Sequence, residues 1–272
     1  MIEALHFEFM RNALLAGFLV SITCGVIGTF VVVNRLAFLS GGIAHAAYGG
    51  IGIAFFFGLP YSLSVLIFSL LIAMIMAYVT LKARHRSDTI VGVLWALGMA
   101  SGVILLDLTP GYNVDLMSFL FGSILTVPKS DLFLMFILCV VIVFIVVLLY
   151  NDLMAFSYDE QFAQVRGVSV TFLHFLLLTM IAVSVVMIIR IVGLILVIAL
   201  LTIAPYIAEN YSRSLRQMIL ISILLNSLFT IIGLFLSYTF NLTSGATIIM
   251  VAGCFFFISL LVENLRKKLG SL

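Results

Sequence analysis

Along this chain, long apolar runs alternate with short polar breaks at a spacing that fits helices crossing a bilayer. Apolar stretches near the roughly 20 residues a helix needs to span fall at 12–33, 39–58, 62–82, 89–107, 131–150, 169–189, 192–208, 217–238 and 245–262. No strand-like alternation of apolar and polar positions separates them, so neither a β-barrel nor a soluble domain is expected. The stretch 192–208 is the weakest, because Gly193 opens it and Pro205 interrupts it. It is expected as a broken or partial helix, of the kind tolerated where backbone is buried in protein or lines a cavity. The pattern therefore predicts an all-α, polytopic membrane protein with eight or nine transmembrane helices, forming one domain over residues 1–272.

Composition strengthens this reading, with 64% of residues hydrophobic and only 9% charged, and a mean hydropathy of +1.35. The first apolar stretch lacks the short core and small-residue cleavage site of a secretory signal, so it is expected to be a retained span. Cys24, Cys139 and Cys254 lie in three separate apolar segments without paired spacing, which argues against a disulfide framework or a zinc finger. Basic residues then orient the chain, since short loops rich in Lys and Arg stay on the cytoplasmic side. Arg35, Lys82, Arg84, Arg86, Arg166, Arg213, Arg216, Arg266, Lys267 and Lys268 fall on one side of the nine-span pattern; only Arg11, Lys129 and Arg190 fall opposite. A multi-pass protein of the cell (inner or plasma) membrane follows, with its N-terminus outside and its C-terminus cytoplasmic. The net charge of +2 reflects this distribution, and no nucleic-acid partner is expected.

Two connections are long enough to do work. In the cytoplasmic one, 151–169, Phe162 and Val165 form the apolar side of a short helix flanked by Asp159, Glu160 and Arg166, with Gly167 placed to end it in a left-handed cap. That pattern suits docking. The outer connection, 107–131, holds Pro110 and Gly111 as a turn, then an apolar stretch at 116–127 too short to span, expected in the interface or dipping toward the core.

The ionisable residue set deepest in an apolar run is His45, within Leu-Ser-Gly-Gly-Ile-Ala-His-Ala-Ala-Tyr-Gly-Gly-Ile-Gly at 39–52. An imidazole inside a bilayer needs a hydrogen-bond partner, a metal or a wet cavity, so His45 is the leading candidate metal ligand. Asp107 and Asp115 are weaker candidates near the outer ends. On one continuous helix Gly41, His45, Gly49 and Gly52 share a face and Gly42, Ala46 and Gly50 the adjacent stripe, so Gly41, Gly42, Gly49 and Gly50 are read as helix-packing residues. The alternative for His45 is a packing role within that seam. No Ser/His/Asp set, His-Glu-x-x-His or phosphate-cradling glycine loop is present, so no catalytic residues and no enzymatic activity are expected.

Several stretches, in order, resemble the integral-membrane permease subunit of the zinc/manganese class of ABC importers. They are Ser-Gly-Gly-Ile-Ala-His-Ala-Ala-Tyr-Gly-Gly at 40–50, Gly-Val-Leu-Trp-Ala-Leu-Gly at 92–98, Val-Asp-Leu-Met-Ser-Phe-Leu-Phe-Gly at 114–122, the segment 157–167, the segment 192–205 ending Thr-Ile-Ala-Pro, and Ser-Gly-Ala-Thr-Ile at 244–248. The resemblance implies a type II-like ABC importer permease fold and a homodimer with a translocation path along its axis. It also implies two cytoplasmic ABC ATPase subunits and an extracellular or periplasmic metal-binding protein. ATP would be used by the partner subunit, and the transported zinc or manganese would be cargo rather than a tightly bound cofactor. Asp159, Glu160, Ala163 and Gly167 then resemble the ATPase-coupling helix. Many members carry Asp one turn before the His, in Gly-Asp-Ala-Leu-Ser-His; here Gly41 and Ala44 replace the Asp and the Ser. The alternatives are a permease of the same architecture for another cargo, such as a metal chelate, and an ATPase-independent secondary transporter or channel. Inverted repeats or paired intramembrane carboxylates would mark the last, and neither is present.

Overall fold

The computed structural model describes residues 7–82, 86–110, 122, 127–194 and 197–269, and among these there are helices and no strands. The order is α1 (Glu8–Val33), α2 (Ala37–Ala46), α3 (Tyr48–Phe57), α4 (Tyr61–Lys82), α5 (Ser87–Asp107), α6 (Lys129–Leu148), α7 (Tyr150–Tyr158), α8 (Glu160–Val165), α9 (Val170–Val192), α10 (Val197–Tyr211), α11 (Leu215–Phe240) and α12 (Ser244–Leu269). Among the described residues eight stretches are long and apolar enough to cross a membrane, with α2 and α3 together making one of them, and α10 is a shorter apolar helix. The centre is α1, α2–α3 and α9, whose spanning windows are 72%, 78% and 67% buried, against 22% for α5 and α6.

Side-chain contacts sort the helix ends into two sets. At one end Asn34 bonds Ser157 at 2.9 Å, Thr80 meets His174 at 2.8 Å, Arg216 lies over the Tyr150 ring at 5.0 Å, and Asn210 donates to Glu263 at 3.3 Å. At the other, Lys129 pairs with Glu8 at 2.7 Å, and Tyr61, Asp131 and Met187 line one small cavity. Glu8 and Glu263 therefore lie at opposite ends of the bundle, and α10, with 15 residues, is about 22 Å long, short of a full crossing on its own.

The doubtful segment breaks at a different place from the one its proline suggested. Gly193, at φ +82°, ends α9, whereas Pro205 lies buried inside α10 without ending it. Proline removes the donor that would have reached the Leu201 carbonyl. That carbonyl turns toward α1, where a Cβ on Gly28 would fall 2.5 Å from Leu201 O and 2.9 Å from Pro205 Cγ. A glycine on the neighbouring helix thus makes room for the proline and its freed carbonyl.

The α1–α11 pairing uses the same economy of small residues. Gly25 meets the backbone of Ile223, while the hydroxyls of Ser21 and Thr230, and of Thr29 and Ser222, approach to 3.4 Å. Without a hydrophobic force between helices in lipid, such close approach and polar contact hold the pair together. At its far end α1 stops in a Schellman turn: Leu36 N–H bonds Val31 O at 2.8 Å and Arg35 N–H bonds Val32 O at 3.0 Å. Arg35 holds the left-handed conformation there, at φ +57°, a place usually given to glycine.

Candidate functional site

The 39–58 stretch is one crossing made of two helices. The break is at Ala47, two residues beyond His45, where the Gly50 N–H bonds the Ala47 carbonyl three residues back at 2.9 Å. Ala47 itself keeps right-handed helical angles, and its N–H still bonds the Ile43 carbonyl at 3.0 Å, so the break is slight. A Cβ on Gly41 would meet Ile198 of α10 at 2.6 Å, and one on Gly42 would meet Val91 of α5 at 2.5 Å. In α3, a Cβ on Gly49 would meet Phe68 at 2.7 Å, on Gly50 the Val65 backbone at 2.9 Å, and on Gly52 the Gly102 carbonyl at 2.6 Å. The glycines therefore serve three neighbours, α4, α5 and α10.

The α5 side of this seam is equally bare. A Cβ on Gly98 would lie 2.7 Å from Ala46 Cα, and Gly102 abuts the Tyr48 backbone. With the two backbones in contact, the side chains one turn away meet face to face. The Trp95 indole stacks on the His45 imidazole with centroids 4.3 Å apart and planes 8° from parallel. Trp95 is itself held by its Nε1–H, which donates to Met99 Sδ at 3.1 Å, and by Phe38, tilted against it at 6.2 Å. His45 Nδ1 is buried and has no hydrogen-bond partner. An imidazole nitrogen left so in a low-dielectric interior carries a desolvation cost.

The other sequence candidates do not gather at His45. Asp107 is exposed at the end of α5, twelve residues past Trp95 and so about 18 Å farther along the axis. Asp115 lies outside the described residues. Among the described residues no group of three His, Cys, Asp or Glu side chains is placed to hold a metal ion, and the three cysteines are free. At Gly41, where the resemblance would place a carboxylate, the space is filled by the Ile198 side chain. What this chain offers an ion is one nitrogen on a stacked aromatic pair, with no charged cage around it among the described residues.

The 151–169 loop folds into α7 and α8. Asp159 caps α8, its Oδ1 accepting from the Phe162 N–H at 2.9 Å, and Gly167, at φ +80°, closes it. The closing turn is a Schellman motif, with Val168 N–H on Ala163 O at 3.0 Å and Gly167 N–H on Gln164 O at 2.9 Å. Ala163 is fully buried beneath the helix, whereas Phe162 is 53% and Val165 88% exposed. Glu160 lines a cavity of about 480 Å³ between the loop and the ends of α1, α4 and α5. The short helix thus turns two apolar side chains outward beyond its capped end.

Sequence reasoning missed Trp95 as the companion of His45, although it is the chain's single tryptophan and sits three residues before Gly98. It also missed the tie of the loop to the bundle, Asn34 to Ser157, and the contact of α4 with α9, Thr80 Oγ1 to His174 Nε2, which join residues 123 and 94 positions apart.

Eight apolar stretches long enough to cross a membrane, an imidazole beside a glycine seam and a capped short helix at one end are the features of a membrane-embedded transport subunit. The chain belongs to the ABC 3 transport family, whose model matches residues 6–263. It is 50% identical to an uncharacterised membrane protein of Synechocystis over 96% of this chain and 92% of that protein. It is 31% identical to the manganese transport system membrane protein MntC of Listeria monocytogenes, over 94% of this chain and 91% of the other. Its fold matches a solved structure of PsaBC from Streptococcus pneumoniae in complex with Fab, with a TM-score of 0.86 and 32% identity over 95% of this chain and 93% of that one. It is thus a permease subunit of the metal-ion class.

Proposed function

We propose that this chain lines the translocation path of an ATP-driven importer for divalent transition metal ions, manganese or zinc, and works as a homodimer. The observation that carries this reading is the buried, partnerless Nδ1 of His45, presented on the face of Trp95 at the glycine seam. A neutral imidazole with its proton on Nε2 offers that nitrogen's lone pair to a passing cation. Names such as manganese transport system membrane protein and manganese import system permease among the relatives favour manganese as cargo.

One nitrogen with Ile198 in the place of a carboxylate binds weakly, and weak binding suits a path that must release its ion. Selectivity then rests with an extracellular or periplasmic metal-binding protein that delivers the cargo. The end carrying α8 faces the cytoplasm, the N-terminus lies outside and the C-terminus inside, as the basic loops favour. Phe162 and Val165 dock into ABC ATPase subunits, and hydrolysis there moves α8 and shifts the exposure of His45 from one side to the other.

Uptake of labelled manganese and zinc into proteoliposomes tests this, comparing the chain alone with the chain joined to its ATPase and binding protein, with and without ATP. The expected result is ATP-dependent uptake of one metal by the full assembly only. Uptake by the chain alone down a gradient would sink the reading, and ATP hydrolysis without metal uptake would move it to another cargo.

A further inference from the structure

The surface between α6 and α11 carries a feature that transport does not use. Both helices pack on α1, and between them opens a groove of about 510 Å³. Ile22 and Val26 of α1 form its floor, Val143 and Val147 of α6 one wall, and Ile219 and Ile223 of α11 the other. Three of these residues, Ile22, Val143 and Val147, also line a second apolar groove of about 880 Å³ that continues up the α1–α6 face. Within a bilayer such walls hold neither water nor a void, so hydrocarbon fills the space.

The mouth of the groove is polar and basic. Arg216 closes it at the end shared with the coupling loop, with its guanidinium 5.0 Å over the Tyr150 ring and Asn151 alongside. Arg216 forms no ion pair with any described carboxylate. Stacking on a ring satisfies the flat face of a guanidinium and leaves its N–H edge free for an oxyanion. From Arg216 to Ile223 is seven residues, about 10 Å of depth, within the roughly 15 Å that half of the hydrocarbon core provides. An apolar trough one leaflet deep, with an unpaired planar cation and an amide at its mouth, matches one molecule: an acyl chain carrying a phosphate.

We propose that this groove binds an anionic phospholipid, one acyl chain lying on Ile22 and Val26 and the phosphate pairing with Arg216. The bound lipid ties the start of α7, through Tyr150, to the start of α11. The proposal needs only that the chain spans a membrane, so it stands or falls apart from the choice of cargo.

Quenching by brominated phospholipids tests it, using the chain's single tryptophan to advantage. Trp95→Phe clears the spectrum, and Val147→Trp, at an exposed rim position, places a reporter in the groove of the full chain in vesicles. Leu71→Trp, on the exposed face of α4, reports ordinary lipid contact. At position 147, dibrominated phosphatidylglycerol is expected to out-compete dibrominated phosphatidylcholine by roughly fivefold, the factor one basic residue contributes near an anionic leaflet. Arg216→Gln should bring that ratio to about one, the value expected at position 71 throughout. Equal quenching by the two lipids at position 147, a preference that survives Arg216→Gln, or the same preference at position 71 would each overturn the proposal. So would the absence of quenching at position 147, which would show that protein covers the groove.

Discussion

The two functional regions of this permease are built by opposite means. Around His45 the helices meet backbone to backbone: Gly98 against Ala46, Gly102 against Tyr48, Gly52 against Gly102. No Cβ fits at these glycines, and the half-buried imidazole lies stacked on Trp95. Around α8 the helix is shaped by its own ends, the Asp159 cap and the Schellman turn at Gly167, and the loop is tied to α1 by the Asn34–Ser157 pair, with Ala163 buried and Phe162 and Val165 left in the open. The seam is specified by what is missing, and the loop by what is exposed. In the proposed transport cycle a rigid seam would convert a small displacement supplied by the loop into a change of state, because packed interfaces are bistable rather than pliable.

The largest effect is expected from filling the seam. Gly98→Leu puts atoms where the Ala46 backbone already lies, at 2.7 Å for the Cβ alone. Backbone cannot step aside as a flexible side chain does, so destabilisation of about 3 kcal/mol or more is expected. It would be read as a lower melting temperature and poor recovery of the purified chain. Gly92, in the second turn of the same helix and with nothing within 4 Å of a built Cβ, supplies the contrast. Gly92→Leu should stay within about 0.5 kcal/mol of the parent. If both substitutions were equally harmful, the seam would lose its special standing.

Next in size is the exposed face of the loop. Phe162→Ala with Val165→Asp should lower ATP-driven uptake by the assembled transporter roughly tenfold or more, since exposed aromatic and aliphatic anchors carry most of a docking energy. Thermal stability of the isolated chain should barely change, because neither side chain is buried. A loss of stability equal to that at Gly98 would show the loop to be part of the core.

How much of this was legible in the chain differs between the two regions for a physical reason. The spans, the membrane setting and the short capped helix of the loop are local patterns: apolar runs, an Asp three residues before Phe162, a glycine two residues past Val165. His45 stood out because an imidazole is rare among apolar neighbours. The seam was visible as glycines but not as contacts. Gly41 meets α10, Gly49 meets Phe68 of α4 and Gly52 meets α5, partners that lie elsewhere in the sequence. Trp95, Asn34 and Thr80 act through partners elsewhere in the sequence, and Arg35 occupies a left-handed turn that its residue type does not announce. Tertiary packing decides all four, and no window of neighbouring residues contains it.

A smaller change is expected at His45 itself. His45→Ala removes the partnerless nitrogen and one face of the Trp95 stack while leaving the glycine contacts in place. Assembly with the ATPase should persist and metal uptake should fall about fivefold, about 1 kcal/mol in the transport barrier. His45→Gln, which keeps a polar atom near the same place, should fall between. Unchanged uptake kinetics for both manganese and zinc would reassign His45 to packing and leave the seam a purely structural device.

The smallest effect, and the one that joins the two regions, belongs to Asn34 and Ser157. Asn34 closes α1, and its Nδ2 donates both to Phe30 O at 2.8 Å and to Ser157 Oγ at 2.9 Å. Ser157 stands two residues before the Asp159 cap of the docking helix, and α2, which carries His45, begins three residues after Asn34. If movement of α8 reaches His45 through this bond, breaking it from either side should do the same damage. Asn34→Ala and Ser157→Ala should each lower the ratio of ions moved to ATP hydrolysed by a few-fold, with hydrolysis itself retained, and the double variant should be no worse than either single one. The coupling energy expected for such a part-buried hydrogen bond is about 1 kcal/mol. Additive losses would mean that the two residues act separately, the bond being a fastening and not a link. The loop and the seam would then communicate through the helix packing alone, by way of α9 and its contacts with α2.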